Sequence, residues 1–499
     1  MKTDFINFDN FDLNAEPDSC HCPNCVRGFR ERLRTKYSPA ERMERFGFSS
    51  VDYVNPPQWN QQNPPARMEI IFDPAIQEWI DFRCQVMADA LRELALFAKS
   101  LNPEVVIEVN PHGITGGNSA WEAGIDHARI LKSTQVFWTE EPNMPGLLPD
   151  GRLISKIRSY KLARAYDNIL FTYISARELH MAECLAFNQT IGFAGSDPLT
   201  PAMRKYIAFY RRHRDLFSRT RDAGGVALLR SYPSITYNHA RCQLSAILAE
   251  QALVQARVPF QLVFDEHLAD LAPYRVLILP DSECMSDGQI DAVKKFVAAG
   301  GGLVVIGRAG LYDHWRRLRV NPGLAGLVDS QPRARDYEEQ VVRSEAAGAV
   351  SRKEIGGGRV VYLPALQFNG RLPELGNYFK IDSRFWKLPK NWRELVEGVA
   401  WASKDSLPIE VAGPEHLIAN LVAQEDRRRT LLHLVNYKPE SVVEKAEVTW
   451  RPPRGQAARQ IDLYSPDTES SVRLEFRGAE WAARFTVPEV RTYAIVVMQ

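Results

Sequence analysis

Short apolar segments alternate with longer helical segments through residues 1–222, and this alternation constrains the fold more than any other feature of the chain. The strand candidates are Phe5–Asn10, Val105–Asn110, Gln135–Glu140, Ile169–Ile174 and Thr190–Ala194. The segments between them, such as Gln77–Ser100 and Leu153–Ala165, repeat apolar residues every three or four positions. This order predicts the α/β fold class with a parallel sheet, because parallel strands need crossover connections of this length.

The segment Gln77–Ser100 is the most regular of the predicted helices. Its apolar residues are expected to form one stripe that packs against the sheet. The members of this predicted stripe are Ile80, Phe82, Val86, Leu91, Leu94 and Phe97.

The number of strands limits the architecture of residues 1–222. A (β/α)8 barrel needs eight parallel strands and about 250 residues, whereas this region offers the five strand candidates given above. The count fits a partial (β/α)8 TIM barrel, truncated at its N-terminus, from which three preceding βα units are absent. A small open five-stranded sheet is the alternative. Polar residues at the ends of several strands favour the barrel, since barrel enzymes carry their catalytic groups at that rim.

Two further regions follow the first. Residues 223–400 restart the βα pattern with strands at 225–229, 260–264, 276–279, 303–306 and 359–363 and helices at 239–255 and 287–299, which predicts a doubly wound α/β domain. Residues 401–499 change to alternating or apolar strands separated by polar turns, which predicts an antiparallel β-sandwich.

Composition excludes several function classes. The 499-residue chain has a formal net charge of +1 and no basic stripe, so neither nucleic acid nor a membrane surface is an expected partner. No run of about 18 apolar residues predicts a transmembrane helix, and no signal peptide is visible. A cytoplasmic location is therefore the expectation, with the reservation that the natural N-terminus lies further upstream if the barrel is truncated.

Polar side chains follow three neighbouring predicted strands. Asn7 and Asp9 share one face of the first strand, and Asn10 follows directly. In the second strand Glu108 and Asn110 are expected to point inward. In the third strand Trp138 and Glu140 share a face, while Glu141 opens the next loop. If the barrel forms, these groups meet at its carboxyl-terminal rim.

Paired carboxylates with aromatic and amide neighbours suit the cleavage of glycosidic bonds. One carboxylic acid protonates the leaving oxygen, and a second carboxylate attacks the sugar carbon or activates water. We expect Asp9 and Glu140 to form this pair, with Glu141 as the alternate. The competing interpretation is structural: Asp9 would cap the following loop, and Glu140 or Glu141 would cap a helix or pair with an arginine.

The same rim offers groups for sugar binding. The candidate substrate-binding residues are Asn7, Asn10, Glu108, Asn110, His112, Trp138 and Tyr173. Trp121, Trp138 and Tyr173 would stack on sugar faces, while Asn110 and His112 would bind hydroxyl groups.

Cys20, Cys22 and Cys25 form the densest cysteine group among the seven in the chain. Zinc prefers four tetrahedral Cys or His ligands, so this triplet predicts a structural zinc that would hold the loop after the first strand. Asp18 and a cysteine upstream of the sequence are both candidate fourth ligands. The alternative is three reduced structural thiols. No organic cofactor is expected.

Cys284 follows a predicted strand that ends in Leu279-Pro280-Asp281. Glutamine amidotransferases of class I place a nucleophilic cysteine after a strand of a similar fold. The local sequence Asp281-Ser282-Glu283-Cys284-Met285 lacks the glycine-flanked turn that exposes such a nucleophile. Cys284 is therefore predicted to fill a buried space.

Several of these motifs together resemble glycoside hydrolase family 42. The motifs are Phe8-Asp9-Asn10, the triplet Cys20-His-Cys-Pro-Asn-Cys25, and Phe29, Leu33 and Lys36-Tyr37 after it. The chain looks still more like relatives of the hypothetical glycosyl hydrolase family 6 type. Tyr274–Gly307 is similar to the amidotransferase-like β-galactosidase trimerisation domain of these proteins, so the resemblance covers most of the chain.

The resemblance implies a barrel, an amidotransferase-like middle domain and a C-terminal β-domain. It also implies a β-galactoside substrate with retention of configuration, a homo-oligomer such as a trimer, and a zinc on the cysteine triplet. Two departures stand out. Phe11 occupies the position of the family 42 acid, and Thr172-Tyr173 the position of its nucleophile. Asp9 and Glu140-Glu141 instead match the Phe-Asp-Asn and Thr-Glu-Glu strand ends of the second group.

These departures leave two function classes open. The leading one is a glycoside hydrolase-like protein that uses the carboxylates named above. The rival is a non-catalytic carbohydrate-binding or assembly protein derived from a glycosidase. Phe11 and Tyr173 favour the rival, and the convergence of Asp9 and Glu140 opposes it.

Overall fold

The computed structural model describes residues 3–59, 70–111, 113–114, 116–173, 177–194, 199–329, 331, 349–375, 380–478 and 481–499. The helices in this part of the chain are α1 Pro23–Lys36, α2 Pro39–Phe46, α3 Pro74–Leu101, α4 Ser119–Ala123, α5 His127–Ile130, α6 Ile157–Ala165, α7 Glu178–Glu183, α8 Pro201–Arg212, α9 Tyr232–Tyr237, α10 His239–Gln255, α11 Asp287–Ala298 and α12 Trp392–Ala402. None of these helices is both long enough and apolar enough to pass through a membrane.

The strands of the described residues fall into three groups along the chain. The first group is β1 Phe5–Phe8, β2 Val106–Val109, β3 Val136–Thr139, β4 Gly146–Leu147, β5 Leu153–Ile154, β6 Ile169–Tyr173, β7 Phe193–Ala194 and β8 Arg221–Asp222. The second is β9 Val226–Arg230, β10 Gln261–Phe264, β11 Val276–Pro280, β12 Gly302–Ile306, β13 Ser351–Ile355 and β14 Gly358–Leu363. The third is β15 Ile409–Val411, β16 Leu417–Gln424, β17 Arg429–Asn436, β18 Val443–Trp450, β19 Ile461–Tyr464, β20 Val472–Arg473, β21 Phe476–Arg477, β22 Ala483–Val490 and β23 Tyr493–Met498.

The first sheet is parallel, with the strand order β1-β2-β3-β6-β7. In register, Asn7 lies opposite Glu108, and Glu108 opposite Val136. One face is closed by helices, and Val109 and Phe137 on it are fully buried. The other face is open to solvent at several apolar positions, which are Phe5, Ile169 and Tyr173. Within the described residues β1 and β7 form the two edges of this sheet.

Helix α3 carries its apolar residues on more than one face. Asp73 caps it by accepting hydrogen bonds from the backbone N–H groups of Ala75 and Ile76. Ile80 and Leu91 are fully buried, as predicted. The predicted single stripe is wrong in part, because Val86, Leu94 and Phe97 are exposed. At roughly 100° per residue, Val86 and Phe97 lie about 100° or more around the helix from the buried pair.

The predicted helix Leu153–Ala165 begins later than expected. Leu153 and Ile154 instead form β5, which pairs with β4 in a small hairpin. The chain reverses at Gly151, whose φ of +84° suits glycine, and the N–H of that residue donates to Leu148. Helix α6 then starts at Ile157, so Lys156 precedes the helix.

The middle sheet has the order β10-β9-β11-β12-β14-β13. All pairs are parallel except β13 with β14. Side chains of β9 alternate between two buried clusters, with Val226 and Leu228 on one side and Ala227 and Leu229 on the other. Two buried faces on a parallel sheet make this a doubly wound arrangement.

The last region contains two antiparallel sheets, of order β15-β18-β22-β21 and β20-β19-β23-β17-β16-β8. Trp450, Leu432 and Val496 belong to the apolar cluster shared by these sheets. Residues 472–477 form two separate short strands, β20 and β21, which belong to different sheets. Strand β8 lies before residue 223 yet pairs with β16, so the first and last regions share a sheet.

Candidate active site

The ends of β1 and β2 are tied together by main-chain hydrogen bonds. The N–H of Asn110 donates to the carbonyl of Phe8 at 2.9 Å, and the N–H of Phe11 donates to the carbonyl of Asn110 at 3.3 Å. Asn10 adopts φ +48°, which turns the chain out of β1. These bonds fix where Asp9 leaves the sheet.

Asp9, Asn110 and Glu140 form a cluster at the carboxyl ends of three adjacent strands. The Asn110 amide Nδ2 donates to Asp9 Oδ1 at 2.9 Å and lies 3.5 Å from Glu140 Oε1. The two carboxylate oxygens are therefore separated by no more than the sum of these distances, 6.4 Å. Asn10 adds a further amide contact, from Nδ2 to Asp9 Oδ2 at 3.3 Å.

Glu108 lies one step below this cluster, opposite Asn7 in the sheet register. Its side chain is buried, and its Oε1 has no hydrogen-bond partner among the described residues. Burial, followed by the negative charge of Asp9, raises the pKa of Glu108 to about 7. Asn7, in contrast, is exposed on the open face.

Glu140 and Glu141 have different environments although they are neighbours in sequence. Glu140 is exposed, whereas Glu141 is buried. Glu141 Oε1 accepts a hydrogen bond of 2.6 Å from Ser159 Oγ. A Cβ placed on Gly113 would lie 1.8 Å from the same oxygen, so the carboxylate packs directly on the Gly113 backbone. The Glu141 carboxylate is therefore held by contacts inside the protein, whereas the Glu140 side chain is accessible to solvent.

A buried polar network holds the loop that follows β3. The Lys156 ammonium donates to the main-chain carbonyl of Glu141, and burial lowers the pKa of Lys156. The N–H of Lys156 donates to Glu183 Oε1 at 3.0 Å, and the Tyr437 hydroxyl donates to Glu183 Oε2. Burial is the main cause that raises the pKa of Glu183 to about 7. The network connects the third region of the chain to the candidate site.

Two aromatic candidates lie together on the open face of the first sheet. The rings of Trp138 and Tyr173 meet edge to face, with centroids 5.3 Å apart. Trp138 is partly buried and Tyr173 is 44% exposed, whereas Trp121 is buried, so the stacking role predicted for Trp121 is wrong. His112, the remaining candidate for substrate binding, lies outside the described residues.

A cavity of about 760 Å³ opens beside Glu140 and Glu141. Asp12 lines it from the loop after β1, and Glu122 lines it from helix α4. Residues 380–384, which we call the strap, line it from the middle region through Lys380, Asp382, Ser383 and Arg384. The sequence pattern gave no indication of this wall, since the strap belongs to none of the predicted strands or helices.

The cysteine triplet forms a compact group after β1. The sulfur atoms of Cys20, Cys22 and Cys25 all lie within 4.8 Å of one another, and the last two are 3.7 Å apart. Zn–S bonds of about 2.3 Å at a tetrahedral angle place sulfurs roughly 3.8 Å apart, so the group could hold a metal ion. Among the described residues no fourth ligand joins it, and His21 bonds to Glu16 through Nε2.

The electrostatics of the triplet are uneven. The backbone N–H of Cys25, followed by the Cys20 thiol, lowers the pKa of Cys22 to about 7. Burial raises the pKa of Cys25 to about 12. A bound cation would favour the thiolate form of all three residues.

Cys284 is fully buried. Burial raises the pKa of its thiol to about 12, against the opposing charge of Arg316. A thiol that is neither accessible nor ionised is a poor nucleophile, which argues against amidotransferase chemistry at this position.

Comparison with known proteins shows which solved structures have a similar fold. No protein-family model matches the chain, and no curated protein matches its sequence. A solved β-galactosidase from Bacillus circulans sp. alkalophilus is similar with a TM-score of 0.64 and 13% identity, over 97% of this chain and 78% of that one. The α-L-fucosidase isoenzyme 2 of Paenibacillus thiaminolyticus gives a TM-score of 0.60 and 16% identity, over 99% and 77%.

A third structure, the exo-carrageenase GH42 of Bacteroides ovatus, gives a TM-score of 0.60 and 10% identity, over 98% of this chain and 65% of that one. The chain has a glycoside hydrolase family 42-like fold. At these identities the similarity concerns the fold, and the chemistry has to be argued from the side chains. Part of each neighbour has no counterpart in this chain.

Proposed function

We propose that the protein hydrolyses O-glycosidic bonds of the β-galactoside type, with Asp9 and Glu140 as its carboxylate pair. The observation that carries this proposal is the cluster in which one amide, that of Asn110, bridges both carboxylates at the carboxyl ends of parallel strands. This is the part of the fold from which glycosidases of barrel architecture draw their catalytic groups.

The separation of the pair is compatible with retention of configuration. Retaining glycosidases hold their carboxyl groups about 5–5.5 Å apart, and inverting ones about 6.5–9.5 Å. The upper limit of 6.4 Å between Asp9 Oδ1 and Glu140 Oε1 lies below the inverting range. Glu141 suits the role less well, because its carboxylate is buried against Ser159 and Gly113.

Sugar binding is assigned to the side chains around this pair. Trp138 and Tyr173 offer ring faces, while Asn7, Asn10 and Asn110 offer amides to hydroxyl groups. His112 is retained as a candidate from the sequence. Glu108, whose pKa is raised to about 7, would in its protonated form donate a hydrogen bond to a hydroxyl or to Asp9.

We infer that the first sheet is part of a (β/α)8 barrel completed by polypeptide outside this sequence. Its open face carries apolar side chains that a closed barrel would bury. The exposed residues Leu94, Phe97 and Leu101 on α3 are suited to a neighbouring barrel helix. The solved β-galactosidase is also longer, since 78% of its length is matched.

The further assignments follow the resemblance. Residues 1–222, 223–400 and 401–499 would be the partial barrel, the trimerisation-type domain and the β-sandwich of a homo-oligomer such as a trimer. A structural zinc on Cys20, Cys22 and Cys25 would fix the loop after β1, with the fourth ligand supplied from outside the described residues.

The test is hydrolysis of a panel of aryl glycosides by the chain and by a form extended upstream in the same reading frame. Asp9→Asn and Glu140→Gln should each lower turnover at least 100-fold while sugar binding is retained. Glu104→Gln, an exposed glutamate ahead of β2, is the matched control and should leave turnover unchanged. Unaltered hydrolysis in both site variants would contradict the assignment.

A second candidate function is carbohydrate binding without catalysis. Tyr173 favours it, because a tyrosine stands where the family 42 pattern has its nucleophile and its ring is exposed beside Trp138. Retained sugar binding without hydrolysis in either form would support this candidate over the hydrolase.

A further inference from the structure

The strap, residues 380–384, is firmly anchored beside the candidate site. The N–H of Ile381 donates to the carbonyl of Gly116 at 3.0 Å, and Ile381 is completely buried. Immediately after the strap, Phe385 and Trp386 are buried in the core. Because Ile381 and the residues that follow the strap are fixed in this way, Asp382, Ser383 and Arg384 between them line the cavity from an anchored backbone.

Arg384 is oriented by its neighbour on the strap. Its Nε lies 2.9 and 3.1 Å from the two carboxylate oxygens of Asp382, and its own backbone N–H donates to Asp382 Oδ1 at 3.0 Å. Its guanidinium also lies over the Phe385 ring, 6.0 Å from the centroid. Within the described residues these contacts engage Nε and leave the two terminal amino groups available.

Both basic side chains that line the cavity, Lys380 and Arg384, come from the strap. Asp382, the ion-pair partner of Arg384, lies on the same wall, and the carboxylates of Asp12, Glu122, Glu140 and Glu141 line the cavity from the side of the first sheet. A guanidinium presents parallel N–H groups that match the paired oxygens of a carboxylate or a sulfate. A neutral hydroxyl would use only part of this donor set.

We propose that Arg384 forms a subsite for an anionic substituent of the glycan, a sulfate or a carboxylate. The inference rests on the proposed function of the same cavity and adds the substrate class to it. The anionic substituent would lie on the strap wall, and the glycosidic bond would face Glu140. Asp382 is then a positioning residue that keeps the guanidinium aimed into the cavity.

The experiment measures the binding of galactose, galactose 6-sulfate and galacturonic acid by isothermal titration calorimetry. The chain should bind at least one of the two anionic sugars roughly tenfold more tightly than galactose. Arg384→Ala should abolish this preference, because it should lower the affinity for the anionic sugar roughly tenfold more than the affinity for galactose. Arg371→Ala, an exposed arginine that does not line the cavity, is the control and should keep the preference.

Three further observations make the outcome decisive. Arg384→Lys should retain only part of the preference, because an ammonium lacks the planar fork. The preference should weaken at high salt, since the Arg384 side chain is 45% exposed. A difference between the two anionic sugars identifies the sulfate or the carboxylate as the better ligand.

Equal affinity for the three sugars, no binding of any of them, or a preference that survives Arg384→Ala would overturn the proposal. Binding does not require turnover, so its failure is separable from that of the proposed function. If the protein hydrolyses aryl glycosides but shows no preference for anionic sugars, the subsite proposal is wrong and the catalytic assignment stands. If it prefers anionic sugars but shows no hydrolysis, the catalytic assignment is wrong and the subsite proposal stands.

Discussion

Replacing Glu183 with glutamine should stabilise the protein at pH 8 and have a much smaller effect at pH 5. Burial raises the pKa of Glu183 from 4.5 to about 7 in the folded protein. Because the folded state holds this proton to higher pH than the unfolded chain, it binds more protons between about pH 4.5 and 7. The free energy of unfolding therefore falls as the pH rises through this interval.

The magnitude follows from the size of the pKa change. The pKa of Glu183 rises by about 2.5 pH units on folding. At 1.36 kcal/mol per unit, this lowers the free energy of unfolding by about 3 kcal/mol once the carboxylate is fully ionised. From pH 5 to pH 8, the free energy of unfolding of the variant should therefore rise by about 2–3 kcal/mol relative to that of the parent. Glu108 also has a raised pKa, but it titrates in both proteins and cancels in the comparison.

The glutamine side chain can keep both contacts of Glu183. Its oxygen can accept from the Lys156 N–H, and its amide can donate to the Tyr437 hydroxyl, which rotates to accept. The variant therefore removes the buried charge while the Lys156 N–H and the Tyr437 hydroxyl each keep one hydrogen bond to the side chain. This is why stabilisation is expected rather than the usual loss on changing a buried polar residue.

The assay is thermal unfolding followed by circular dichroism at pH 5 and pH 8. The midpoint of Glu183→Gln relative to the parent should rise by roughly 5 °C or more on going from pH 5 to pH 8. Glu93→Gln, at an exposed position of α3, should show no such difference. An equal midpoint shift of Glu183→Gln at both pH values, or destabilisation at pH 8, would refute the buried-charge argument.

Three other changes test the surroundings of the site. Gly113→Ala should lower the free energy of unfolding by about 1–3 kcal/mol, because the added Cβ would overlap Glu141. In the same thermal assay the control Gly146→Ala should change it by no more than about 0.5 kcal/mol, since no atom lies within 4 Å of the Cβ it would add. Lys156→Met should lower aryl glycoside turnover roughly tenfold and shift its pH profile, since it releases the loop carrying Glu140. Cys22→Ser should lower the zinc content measured by mass spectrometry, and unchanged zinc would rule out the triplet as a metal site.

The cluster of Asp9, Asn110 and Glu140 was predictable because parallel strands end at the same edge of a sheet. Each residue was found from local alternation at a strand end, and the sheet order then made them neighbours. The sequence ranked Glu140 ahead of Glu141 but gave no reason why one carboxylate is exposed and the other is buried. That difference arises from Ser159 and Gly113, which approach one carboxylate from other elements.

The network around Lys156 was also not predictable from the sequence, because its partners lie on elements that are distant in the chain. The predicted helix Leu153–Ala165 placed Lys156 inside a regular element, whereas the hairpin of β4 and β5 puts it ahead of α6. Its further partner, Tyr437, belongs to the third region of the chain. The strap likewise depends on the pairing of Ile381 with Gly116, which no local pattern encodes.

The sequence by itself determined the elements: the βα order of the first two regions, the strands of the third, and the polar ends of the strands. These features follow from periodicity and turn residues, which act over a few positions. Only the tertiary structure decided which carboxylate is exposed, what holds Lys156 and Glu183, and where Arg384 points. Those properties depend on burial and on partners distant in the chain, and a side chain's charge and accessibility are set by that packing.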